Sequence, residues 1–137
     1  MQPDTRDLDR LDLHLALTAL LVRLARTDGY YAADEIIRIE KIAMARFGLS
    51  HDDAADLRTR AEAAEAEAPD TVRFTRAIKE GVPYEERLGV IEALWQVALA
   101  DGARDHEEDA LVRMVAGFLG VSDGDSARAR QRISGRT

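Results

Sequence analysis

Leu24-Ala25-Arg26-Thr27-Asp28-Gly29 and Val97-Ala98-Leu99-Ala100-Asp101-Gly102 are the two stretches whose reading decides the fold. In each, an apolar helical pattern runs into Asp-Gly, a pairing that favours a turn. Acidic residues and a second apolar-periodic segment follow both turns. These second segments also end alike, in Phe47-Gly48-Leu49-Ser50 and Leu119-Gly120-Val121-Ser122. Spacing between the two copies differs by one residue, so the register inside the second helix stays open. Two helix–turn–helix units related in this way can bury their apolar faces against each other.

Outward from these turns, helical signals continue along the chain. Asp4 or Thr5 can cap a first helix that runs to about residue 27. Its residues Leu8, Leu11, Leu15, Leu17, Leu20, Leu21 and Leu24 cover more than one face, which predicts a central place in a bundle. A second helix begins near Ala33 and ends at Phe47, with Ile36, Ile39, Ile42 and Ala43 as its buried stripe and Gly48 as its stop. Ser50-His51-Asp52-Asp53 resembles a capping box with Asp in place of Glu and opens a third helix. The alanine–glutamate run through residues 61–68 reads as a solvated segment of that helix.

Pro69-Asp70-Thr71 breaks the chain before a short fourth helix carrying Val72, Phe74, Ala77 and Ile78, which Gly81 ends. Pro83 fits the first turn of a fifth helix, where a missing N–H costs nothing. Leu88, Ile91, Leu94, Trp95, Ala98 and Leu99 make that helix as central as the first, with Trp95 in the core. The sixth, over about residues 106–119, is expected to turn Leu111, Met114, Val115 and Phe118 inward. Ser122 caps a basic last helix bearing Arg128, Arg130 and Arg132. No β-branched or aromatic run alternates with polar residues as a strand would. The expectation is an all-α, single-domain bundle of about seven helices with an internal pseudo-duplication. One domain spans residues 1–137, with repeat halves at about 8–50 and 84–122.

Composition narrows the function. Hydrophobic residues make up 46% and charged residues 33% of the 137, enough for a core and a solvated surface. The net charge of −7, with lysine only at Lys41 and Lys79, opposes binding to a phosphate backbone, so no nucleic-acid partner is expected. With no cysteine, disulfides, thiolate metal sites and cysteine nucleophiles are excluded. The acidic N-terminal segment does not read as a secretory signal. The most apolar stretch, residues 11–25, is shorter than the roughly 20 residues that cross a bilayer and is interrupted by Asp12, His14 and Arg23. A cytoplasmic protein without a transmembrane segment is expected.

Catalytic motifs do not assemble. His14, His51 and His106 lack carboxylates at di-iron spacing, and Ala110 stands where a zinc-protease helix would place its second histidine. There is no phosphate-binding Gly-rich loop and no Gly-x-Ser-x-Gly elbow. Read as an EF-hand, each turn offers only the second half of the loop. Leu24 and Arg26, or Val97 and Leu99, occupy the first ligand positions and donate no carboxylate, so calcium cannot be enclosed in that way.

The stretch Arg87-Leu88-Gly89-Val90-Ile91-Glu92-Ala93-Leu94-Trp95-Gln96-Val97-Ala98-Leu99-Ala100-Asp101-Gly102 resembles the TerB family, named for bacterial tellurite resistance. So do Asp105-His106-Glu107-Glu108 and Phe118-Leu119-Gly120-Val121-Ser122, and the resemblance extends from about residue 8 to about residue 130. It is strongest to the family's small stand-alone members, and it implies a helical bundle with pseudo-duplication. It also implies a metal-binding role for acids in the turns, which by position falls on Asp28, Glu35, Asp101 and Glu108. Such hard oxygen donors suit Ca²⁺ or Mg²⁺. Beside this stands a purely structural reading, in which Asp ends one helix and acids stabilise the start of the next by roughly 0.3–1 kcal/mol. Asp105 with Glu108 also fits a capping box, whereas Ala32 and Ala33 leave the first copy without a capping side chain.

Tyr30 and Tyr31 sit in the first turn, as a contact patch for a partner or folded back over the core. Two function classes remain. One is a non-enzymatic stress-response module that interacts or senses, with a divalent cation and with a protein partner or a second copy of itself. The alternative is a divalent-metal-dependent hydrolase or lyase using the same carboxylates.

Overall fold

A computed structural model describes residues 5–27, 31–100 and 106–135, with side chains at 13–27, 31–100 and 108–135. Among the described residues there are seven helices and no strand: α1 Thr5–Ala25, α2 Ala33–Phe47, α3 His51–Glu67, α4 Val72–Gly81, α5 Tyr84–Ala98, α6 His106–Phe118 and α7 Asp123–Ser134. The all-α bundle read from the sequence is the observed architecture.

α1 and α5 lie at the centre because they are apolar on too many sides to sit at a surface. α1 packs against α2, α3, α4, α5 and α6, and α5 against α1, α2, α4, α6 and α7. Leu20, Leu21, Leu24, Ile91 and Leu94 are fully buried between them and their neighbours. The main core takes residues from all seven helices, including Ile39, Ala61, Phe74, Val112 and Ala129, and Ala43, Ala54 and Leu57 form a smaller cluster between α2 and α3.

The helix corners repeat in detail. Gly48 and Gly120 both adopt left-handed backbone, at φ 67° and 72°, where a side chain would be strained. Two residues on, Ser50 and Ser122 each accept a hydrogen bond on Oγ from the backbone N–H of Asp53 and Asp125, at 3.1 Å in both cases. α1, α2 and α3 pack as a mutual triangle, and so do α5, α6 and α7.

Several expectations shift in place. α1 ends at Ala25, two residues before Thr27. Pro83 is the N-cap of α5, with φ −60° and ψ 155°, rather than a residue of its first turn. Proline there still fits, since that N–H has no partner inside the helix. The alanine–glutamate run is not simply solvated, because Ala61, Glu65 and Ala68 are buried. The apolar face of α6 is rotated in part from the one expected, with Val115 buried and Leu111 packed against the core as read but Met114 and Phe118 turned out. Val112, Val115, Ala116 and Leu119 are buried, while Met114 and Phe118 are 45% and 44% exposed.

That rotation is testable. Val112→Ala removes buried methyl groups and is expected to lower unfolding free energy by about 1–3 kcal/mol. Met114→Ala is expected to stay within about 0.5 kcal/mol of the parent. Urea unfolding followed by circular dichroism checks both, and equal losses would mean the helix face is misassigned.

Candidate functional site

The four carboxylates singled out by sequence divide in two. Asp28 and Asp101 lie outside the described residues. Glu35 is the third residue of α2 and half-buried, and Glu108 is the third residue of α6 and buried. Both copies thus place a glutamate at the same step of the helix that follows the turn. At that step a carboxylate faces the unpaired N–H groups of the helix start and gains from the dipole. Ala32, the N-cap of α2, contributes no side-chain cap, which leaves Asp34 and Glu35 as the acids of that first turn. Both Glu35 and Glu108 have interaction partners. α2 and α6 do not touch one another, and each packs on α1. Among the described residues no group of three or more His, Cys, Asp or Glu is arranged to hold a metal ion, a set that excludes Asp28 and Asp101.

The chain on either side of the first turn is anchored to α3. Arg23 donates from Nε to Glu65 Oε1 at 3.1 Å and from Nη2 to the carbonyl of Ala68 at 2.8 Å. Arg26 reaches the other oxygen of Glu65 at 2.9 Å. Across the turn, the Tyr31 hydroxyl donates to Glu62 Oε2 at 2.7 Å, and the Arg26 guanidinium lies 5.0 Å from the centre of the Tyr31 ring. Arg58 completes the network, donating to Glu40 at 2.8 Å and to Glu62 at 2.9 Å. Glu40 and Glu65, both buried, are thereby neutralised in place by arginines, as carboxylates out of water require. Tyr31 folds back over the core, the second of the two roles its position suggested.

The rest of the surface is cleft-like rather than pocketed. An open cleft of about 840 Å³ runs between α2, α5 and the end of α7, with Arg38, Lys41, Gln96 and Ile133 along it. Within its lining Arg46 donates to Gln96 at 2.9 Å, and Glu92 of the lining accepts from Arg132 at 2.9 Å. Arg87 has a structural task. It donates to the carbonyls of Val82 and Leu119 at 2.8 and 2.9 Å and so caps the ends of α4 and α6. His14 stacks on Phe47 with ring centroids 3.9 Å apart, and exposed His51 lies 3.6 Å from Glu40. A smaller cavity beneath α7 has Trp95, Ser126 and Arg130 in its lining. The sequence placed Trp95 in the core and Arg130 on the basic last helix, and gave Ser126 no role. The signal that could have found them was a buried indole, whose N–H ordinarily needs a partner.

Burial first, and the bond to Glu62 second, push the Tyr31 hydroxyl above its ordinary value of 10.0. A raised folded-state value means the stabilisation is complete below about pH 10 and declines as pH rises beyond it. Tyr31→Phe is expected to cost about 0.5–1.5 kcal/mol near neutrality and to flatten the alkaline decline. Urea unfolding at pH 8 and again above pH 10 measures both effects, and an unchanged alkaline slope counts against the assignment.

With this geometry in place, comparison with known families gives one match. Residues 14–131, which run from within α1 to within α7, match the family model described as tellurite resistance protein TerB. Comparisons with curated proteins and with solved structures returned no match. The chain belongs to the TerB family.

Proposed function

We propose that this chain is a non-enzymatic module of a tellurite-resistance-like stress response, which interacts or senses rather than turning over a substrate. A divalent cation, Ca²⁺ or Mg²⁺, is held at the acidic helix starts by Asp28, Glu35, Asp101 and Glu108. The observation that carries this reading is that Glu35 and Glu108 are each the third residue of a helix that follows an Asp-Gly pair in the sequence. Oxygen-only donors of this kind match hard cations. Family membership supports the stress-response setting.

The non-catalytic part of the reading draws on how the other buried carboxylates are used. Glu40 and Glu65 are each bound by arginine, a structural use that leaves neither poised as a base. The partner is a protein, with a second copy of this chain included among the possibilities, and the setting is the cytoplasm. No described helix is long and apolar enough to cross a membrane.

Isothermal titration of the apo protein with CaCl₂ and MgCl₂ tests the cation. Binding is expected to stabilise the fold by about 2.7 kcal/mol at one hundred times Kd, seen as a rise in Tm. The double variant Asp28→Asn, Asp101→Asn is expected to lose that rise and keep the parent Tm in chelator. Absence of any binding heat with either ion removes the cation from the proposal. Cation-dependent hydrolysis of a model ester or phosphoester by the parent, lost in the double variant, would instead favour an enzyme.

A further inference from the structure

Where α7 crosses α5 and α6, a cavity of about 330 Å³ is lined by Trp95, Arg113, Asp123, Ser126, Ala127 and Arg130. Its volume falls at the small end of the about 300–1,000 Å³ typical of small-molecule sites. Trp95 Nε1, Ser126 Oγ and Arg130 Nε are the buried side-chain polar atoms without a hydrogen-bond partner among the described residues. All three belong to residues that line this one cavity. Trp95 is 3% and Ser126 4% exposed, so bulk water does not reach them freely. Buried polar groups are nearly always paired, and an unpaired one calls for an explanation such as strain, a catalytic role, or a bound water or ion.

Each of these groups departs from what its residue type ordinarily does in this chain. Thr18 and Thr59, both helical, donate their hydroxyls to the carbonyl four residues back, at 2.7 and 2.9 Å. Ser126, the fourth residue of α7, has the same outlet within reach and does not use it. Arg23, Arg58 and Arg87 each satisfy Nε with a carboxylate or a carbonyl. Arg130 instead lays its guanidinium over the Trp95 ring, 5.4 Å from the centroid, which holds it against the indole.

The donor set states what the ligand is. An indole N–H and an arginine Nε–H can only donate, and a serine hydroxyl can donate as well. Arg113 and Arg130 put two positive charges on the lining against one negative charge from Asp123, and no ion pair among the described residues engages either arginine. In a chain of net charge −7 this is a locally positive, donor-rich pocket. It repels cations and suits a group offering several oxygen acceptors. We infer that the cavity under α7 binds a small anion through its oxygens, a carboxylate or a tetrahedral oxyanion, accepting from Trp95 Nε1, Ser126 Oγ and Arg130 Nε. The inference is independent of the cation at the acidic turns.

Trp95 is the chain's one tryptophan, so its fluorescence and its indole N–H resonance report this cavity alone. The full chain is titrated in chelator with sodium phosphate and, separately, with sodium succinate, against sodium chloride at equal ionic strength. A saturable shift of the indole N–H resonance with phosphate, succinate or both is expected, and which of them acts separates inorganic oxyanion from carboxylate. Arg130→Gln and Ser126→Ala are each expected to raise Kd at least tenfold. Arg113→Gln, at an exposed position that does not threaten the fold, is expected to raise it several-fold. A response no larger than that of chloride overturns the inference. So does a response that survives Arg130→Gln in a protein whose circular dichroism is unchanged.

Discussion

Two helices that are apolar on most of their surface cannot both be covered by each other, and the rest of this structure follows from that. α1 and α5 are in contact along the middle of the bundle, and each still has apolar sides left over. α2 and α3 close over α1, while α6 and α7 close over α5. α4 packs against α1, α5 and α6 and so ties the two triangles together. Each covering helix needs only a narrow apolar stripe, which is why α3 and α7 can be so rich in charge. Ala54, Leu57 and Ala61 suffice on α3, and Ala129 with Ile133 on α7.

Covering helices that are charge-rich and tightly applied bring polar groups out of water, and the fold disposes of them in two ways. Over α1 the solution is complete. Arg23, Arg26 and Arg58 take up Glu40, Glu62 and Glu65, and Arg23 also satisfies a carbonyl at the end of α3. Removal of one partner from such a network leaves the other charged and desolvated, so its value is conditional on being whole. Over α5 the solution differs. There α7 brings Ser126 and Arg130 down beside Trp95, Asp123 of the same lining bonds neither of their buried donors, and hydrogen-bonding capacity is left over. The two sets of three mutually packed helices differ in what their third helix carries inward.

How much of this was legible in the sequence depended on how local the cause was. Helix ends were legible, because Gly48 and Gly120 are needed for left-handed backbone and Ser50 and Ser122 for capping, all within a few residues. The centrality of α1 and α5 was legible from their composition. The facing of α6 was not. Leu111, Met114 and Phe118 lie on one stripe, Val112, Ala116 and Leu119 on another, and Val115 serves both. Size favoured the first stripe as core, yet close approach favours the second, whose Val and Ala let α6 settle on α1 and α5. Glu65 was misread for a related reason, since nothing within α3 reveals that Arg23 and Arg26, about forty residues earlier, will meet it. The cavity under α7 is the extreme case. Its donors come from residues 95, 113, 126 and 130, on three helices, and only their packing brings them together.

Those differences bear on what the two ends of such a fold can hold. A carboxylate in a helix's first turn, such as Glu35 or Glu108, already interacts favourably with the positive end of that helix. A cation arriving there meets the same positive end as a repulsion, so it gains only if further oxygens from the turn outweigh it. The α7 cavity has the opposite balance. Its donors are fixed by helix packing and by the stacking of Arg130 on Trp95, so an anion there neither reorders the site nor competes with an existing pair. Preorganised donors of this kind favour occupancy by even a small ligand, because the ordering has already been done by the folding of the chain.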